Sequence, residues 1–124
     1  MGSNPIKLKR AYEPAAADDH YRVLVDRLWP RGLNKQNAHL DLWLKDIAPS
    51  PDLRVWFDHD PKRWAVFRRR YIAELKQRTA EVRQLLDILA NTPITLVYAA
   101  KDEAHTHALV LHAFLESARK TGRK

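Results

Sequence analysis

The chain has 124 residues, of which 45% are hydrophobic and four are tryptophan, with a formal net charge of +7 and a pI near 9.9. That length and apolar content suit one domain with its own core and argue against a disordered chain. There is no cysteine, which excludes disulfides, thiolate metal sites and a cysteine nucleophile, and no apolar run approaches the roughly 18 residues of a membrane span.

Met1-Gly2-Ser3-Asn4-Pro5 has neither the charged nor the apolar region of a secretory signal, so a cytoplasmic protein with no membrane partner is expected. Ile6 to Tyr12 alternates apolar and basic residues, the period of a half-buried strand. Pro14 ends it, and Asp18-Asp19-His20 belongs to a loop. A second strand is predicted from Tyr21 to Asp26, its Val23-Leu24-Val25 run suiting a strand covered on both faces. Trp29-Pro30-Arg31-Gly32 breaks it off.

Asn34 is placed to cap a short helix over Lys35-Gln36-Asn37. From Ala38 to Ile47 the pattern fits a helix or a short extended segment, because Leu40, Leu42 and Leu44 alternate while Leu40, Trp43, Leu44 and Ile47 make a helical stripe. Ser50-Pro51 and Asp60-Pro61 both read as an N-cap followed by proline at the first helical position. The first starts a short helix through Leu53, Trp56 and Phe57. The second starts a helix with Trp64, Phe67, Tyr71 and Leu75 on one face. Thr79 is expected to cap a further helix that turns Val82, Leu85, Leu86 and Leu89 inward. Ile94 to Tyr98 is a β-branched strand, and a last helix, capped by Asp102, presents Ala104, Ala108, Leu111, Leu115 and Ala118.

Strands separated by helices predict a single α/β domain over 1–124, with a small, mainly parallel sheet flanked by helices and flexible ends at 1–5 and 119–124. Ligands of such sheets bind beyond the carboxyl ends of the strands. Two stretches lie there, Asp26 to Gly32 and Lys101 to His107. Arg27 and Arg31 offer the fixed donor fork that clamps a carboxylate or phosphate, with Asp26 placed to orient one of them and Lys101 to assist. Trp29 either stacks on a ligand or plugs the core. His105 and His107 are the candidates for moving a proton.

The first expectation is therefore a binder of a small anionic or phosphorylated ligand, with enzyme activity left open. The alternatives are a basic nucleic-acid-binding or regulatory protein, drawing on the Arg68-Arg69-Arg70 run, and a metal or haem site built from some of the six histidines. No ligand spacing among those histidines is diagnostic, and the sequence names no cofactor and no oligomeric state.

Tyr21-Arg-Val-Leu-Val-Asp-Arg-Leu-Trp-Pro-Arg-Gly32, Trp43 to Ser50, Trp56-Phe-Asp-His-Asp60 and Thr95 to Asp102 together resemble the YeaO-like proteins, a bacterial family of unknown function. The resemblance runs from about Ile6 to Ala118 and implies a compact α/β fold without supplying a reaction. A related branch of that family carries one cysteine at the end of its last strand and a Cys-His-Arg run at the following helix. Here those positions correspond to Tyr98 and to Thr106, His107 and Ala108, so only the histidine matches.

Overall fold

The computed structural model describes residues 4–121; of the flexible ends expected at 1–5 and 119–124, the parts at 1–3 and 122–124 lie outside the described residues. In chain order it contains β1 (Ile6–Arg10), β2 (Tyr21–Leu24), α1 (Lys35–Ala38), β3 (Leu42–Trp43), α2 (Pro51–Phe57), α3 (Trp64–Gln77), α4 (Thr79–Leu89), β4 (Ile94–Tyr98) and α5 (His107–Thr121), with 3-10 turns at Ala17–Asp19, Lys45–Ile47 and Pro61–Arg63. The fold is α/β. All strand pairs are parallel and the sheet order is β1-β4-β2-β3. All five residues of β4 are buried, because it lies between β1 and β2 and is covered on both faces.

Side chains alternate across the sheet. Val23, Val25, Ile94, Leu96 and Tyr98 join Phe67, Tyr71 and Leu75 of α3, Leu85 and Leu89 of α4, and Leu111 and Leu115 of α5 in the main core. Leu24 and Val97 face the other way, into a smaller cluster with Ala11, Trp29, Leu33, Leu40 and Trp43. The larger helices thus share one apolar core with the sheet. Trp29 and Trp43, edge to face with centroids 5.5 Å apart, belong to the cover of the opposite face.

The opposite face also carries a buried polar centre. Arg22 Nη1 donates to Asp19 Oδ2 at 2.6 Å, and Lys9 Nζ lies 2.9 Å from Asp19 Oδ1. Arg22 also donates to the carbonyls of Ala38 and His39, and Thr95 Oγ1 donates to the Asp19 carbonyl at 2.8 Å. Charges under a sheet are tolerated only when paired and hydrogen-bonded, as these are.

Several predicted starts are realised. Asn34 accepts from the Gln36 and Asn37 N–H groups, Ser50 Oγ from Leu53, and Asp60 Oδ1 from Lys62. The ambiguous stretch resolves into β3 and a 3-10 turn, since pairing of Leu42 and Trp43 with Val23 and Leu24 outweighs the helical stripe. Two expected caps are corrected. Thr79 is the first residue of α4 and makes no capping bond, because the chain breaks one residue earlier at Arg78 (φ −105°, ψ 53°). Asp102 instead closes a turn by accepting from the Ala104 and His105 N–H groups. The helix starts at His107, where Thr106 Oγ1 accepts from Ala108 N–H. At the ends of the described chain, Asn4 donates to the Leu89 carbonyl and Arg119 to the Asn4 carbonyl.

Candidate functional site

A cleft of about 380 Å³ opens beyond the carboxyl ends of β2 and β4. The loop after β2 supplies Asp26, Arg27, Leu28, Trp29, Pro30 and Arg31. Ala48, Pro49, Arg54, Phe57, His59 and Phe67 line it from the α2–α3 side. Ala99, Ala100, His105, Thr106 and His107 close the third wall, after β4. The two stretches picked out at the strand ends therefore meet, as the rule for parallel sheets leads one to expect.

β2 ends where Asp26 takes over from the backbone ladder. Val25 N–H still donates to the Val97 carbonyl at 3.0 Å, and then Asp26 Oδ2 accepts from Ala99 N–H at 2.9 Å. Trp43 Nε1–H donates to the Asp26 carbonyl at 2.8 Å, which fixes the strand end from the opposite face. Asp26 Oδ1 is buried and lacks a hydrogen-bond donor among the described residues, although His107 Nε2 lies 3.3 Å away. That nitrogen is 3.0 Å from the Val25 carbonyl. Both neighbours of Nε2 are acceptors, so that nitrogen is the one placed to donate.

The Trp29-Pro30-Arg31-Gly32 loop folds as a tight turn in which Leu33 N–H donates to the Pro30 carbonyl at 3.2 Å. Gly32 has φ +78°, and nothing lies within 4 Å of where a Cβ would stand. Glycine is needed there for its backbone alone, since the third position of a type II turn has positive φ. The turn presents Arg31 at its apex, exposed, while Tyr12 Oη donates to the Arg31 carbonyl at 2.9 Å. Trp29 Nε1–H donates to the Leu33 carbonyl, so its indole holds the loop together even as it borders the cleft.

The predicted residues have different standing in this geometry. Asp26, Arg27, Trp29, Arg31, His105 and His107 all border the cleft; Lys101 does not. The Arg27 guanidinium is engaged by the Ala48 carbonyl at 3.3 Å and the Pro49 carbonyl at 3.4 Å, with Asp46 Oδ1 at 3.6 Å. His105 Nδ1 is 2.8 Å from Asp102 Oδ2, and this hydrogen bond holds the Asp102 carboxyl below its ordinary value. The His105 ring packs edge-on against Trp64.

Arg54, His59, Thr106, Phe57 and Phe67 were not anticipated as part of the site. Arg54 stands exposed on α2, and among the described residues neither its guanidinium nor that of Arg31 has a hydrogen-bond or ion-pair partner. His59 follows Asp58 with both residues at positive φ, 54° and 46°, an arrangement that costs a non-glycine residue energy. Two consecutive left-handed residues between two proline-started helical segments are the local signal: the chain must reverse there, and the reversal turns His59 to the cleft.

Three histidines border the cleft, yet among the described residues no group of three or more histidine, aspartate or glutamate side chains is arranged to hold a metal ion. Elsewhere, His112 Nε2 lies 2.9 Å from the Ile6 carbonyl, and His20 and His39 are exposed at positive φ. The Arg68-Arg69-Arg70 run is exposed on α3, and Arg63 and Arg70 both stack on Trp56, with 5.2 and 4.5 Å to the ring centroid. Trp56 is thereby occupied by the protein's own guanidinium groups. Among the described residues no helix is long and apolar enough to cross a membrane.

The family model described as the inactive DUF488-N3 subclade matches residues 5–123. The chain belongs to that subclade. Within the family it is similar to the uncharacterized protein YeaO of Escherichia coli, 48% identical over 112 residues that cover 90% of this chain and 97% of YeaO. It is also similar to the uncharacterized protein Rv3073c of Mycobacterium tuberculosis, 41% identical over 112 residues that cover 89% of this chain and 92% of the relative. An uncharacterized protein of Mycobacterium bovis, Mb3100c, matches to the same extent. No solved structure matches significantly. The resemblance to YeaO-like proteins drawn from Arg-Leu-Trp-Pro-Arg-Gly is thus upheld, and the family is one whose function is unknown.

Proposed function

We propose that the protein binds a small organic or phosphorylated anion in the cleft beyond β2 and β4, and holds it without turning it over. One observation carries this reading: Arg31 and Arg54 border the cleft with guanidinium groups that have no partner among the described residues. Arginine is the side chain best matched to carboxylate and phosphate, because its donors form a rigid fork and its charge is permanent. Arg27, whose donors meet carbonyls, holds the Ala48-Pro49 wall against the end of β2 and so shapes the site. His59 and His105 add ring donors at the rim, and the chain's +7 charge favours approach of an anion.

Binding without turnover is supported by the description of the subclade as inactive and by the two positions at which a related branch carries cysteine. Thr106, where a related branch has a cysteine, is buried and caps α5. Tyr98, at the other cysteine position, is buried in the main core, and burial pushes its phenol above the ordinary value. His107 Nε2 is engaged by the Val25 carbonyl and Asp26.

Isothermal titration with inorganic phosphate and small phosphate esters tests the reading. Arg31→Ala and Arg54→Ala should each weaken binding about tenfold, the equivalent of one charge-assisted hydrogen bond. Unchanged affinity in both variants, or no saturable binding to the unaltered protein, refutes it. Ligand recovered chemically altered after incubation refutes the absence of turnover.

A further inference from the structure

Resting on the anion-binding reading above, we infer that the ligand is an aromatic acid or aryl phosphate, its charge at the rim and its ring in the depth of the cleft. The reason is the distribution of free hydrogen-bonding groups. At the wall, Asp26 Oδ2, the Arg27 guanidinium, the Trp29 indole N–H and His107 Nε2 all meet partners in the protein itself. Asp26 Oδ1 is buried behind His107. Between these groups, and inside the arginines and the His59 and His105 rings at the rim, much of the lining is carbon, with the stacked Phe57 and Phe67 rings 4.3 Å apart between centroids.

The hydroxyls of a sugar phosphate would meet almost no free partner there, and a buried polar group without one opposes binding. Inorganic phosphate would meet the arginines and leave most of a 380 Å³ cleft unfilled. Leu28 lies at the lip with 60% of its surface exposed, a degree that only Val55 exceeds among the large apolar side chains of the described residues. A ligand with an apolar body covers it; a fully polar one does not. Ring against ring is also a contact that Phe57 and Phe67, both lining the cleft, favour.

The test titrates the full-length protein with phenyl phosphate, inorganic phosphate and glucose 6-phosphate. Phenyl phosphate is expected to bind at least tenfold more tightly than either of the others. Leu28→Ser, an exposed and therefore foldable change, is expected to weaken phenyl phosphate severalfold and leave inorganic phosphate unchanged, while Arg54→Ala weakens both. Equal affinity for the three probes, or a Leu28→Ser variant that behaves as the parent toward phenyl phosphate, overturns the inference and leaves the anion site standing. Failure of all three to bind removes the anion site and the inference together.

Discussion

Replacing Asp19 by alanine probes how the face of the sheet opposite the large helices is held. Asp19 is 2% exposed and Arg22 is 3% exposed. The carboxylate accepts from Arg22 at 2.6 Å and from Ala16 N–H at 3.0 Å, with Lys9 Nζ at 2.9 Å. Truncation leaves a guanidinium buried without its counter-ion, a change that costs about 3–5 kcal/mol. Arg22 keeps the Ala38 and His39 carbonyls as acceptors, so the expected loss lies at the lower end, about 3 kcal/mol. Set against a total stability of about 5–15 kcal/mol, that is a large fraction. At roughly 4 °C per kcal/mol, Tm should fall by about 12 °C. Urea unfolding followed by circular dichroism measures the loss. The double replacement Asp19→Leu with Arg22→Met removes the most deeply buried pair, leaving Lys9 with the Pro14 carbonyl and some solvent, and should recover part of it. A single variant that loses less than about 1 kcal/mol, or a double variant no more stable than the single, would refute the reasoning.

The same carboxylate sets a pH dependence. Burial pushes the Asp19 carboxyl up, but the bonds from Lys9, Ala16 N–H and Arg22 outweigh it and hold the group below its ordinary 3.8. A folded pKa lower than the unfolded one stabilises the protein above the unfolded value and ceases to do so as pH falls through the folded value. The gap between parent and Asp19→Ala should therefore be level near neutral pH and shrink below about pH 4; a gap that widens with acid contradicts this. Ser50 Oγ accepts from Leu53 N–H at 3.2 Å and donates to Glu74 Oε2 at 2.6 Å, so Ser50→Ala should cost about 1–2 kcal/mol in the same unfolding assay. Tyr71 is fully buried and donates to the Ile47 carbonyl at 2.7 Å, so Tyr71→Phe should cost about 1–2 kcal/mol. Burial also raises the Tyr71 phenol far above its ordinary value, and spectrophotometric titration should show it ionising only when the protein unfolds in alkali.

What the sequence determined by itself is whatever rests on near neighbours. The apolar run of β4, the caps at Asn34, Ser50 and Asp60, and the helical face of Phe67, Tyr71 and Leu75 follow from residues a few positions apart, and each appears in the fold. The strand ends could be named for the same reason, because Asp26 to Gly32 and Lys101 to His107 each directly follow a legible strand. Tertiary structure decided the rest. Leu42 and Trp43 are a strand only because β2 lies alongside to pair with them. Arg27 was indistinguishable from Arg31 until the Ala48 and Pro49 carbonyls, more than twenty residues on, met its guanidinium. Arg54 and His59 come to the cleft from within the longest excursion between the described strands, from β3 to β4. Whether an arginine is free to hold a ligand depends on which acceptors the fold carries to it, and those acceptors are backbone carbonyls that every residue possesses and no sequence pattern marks.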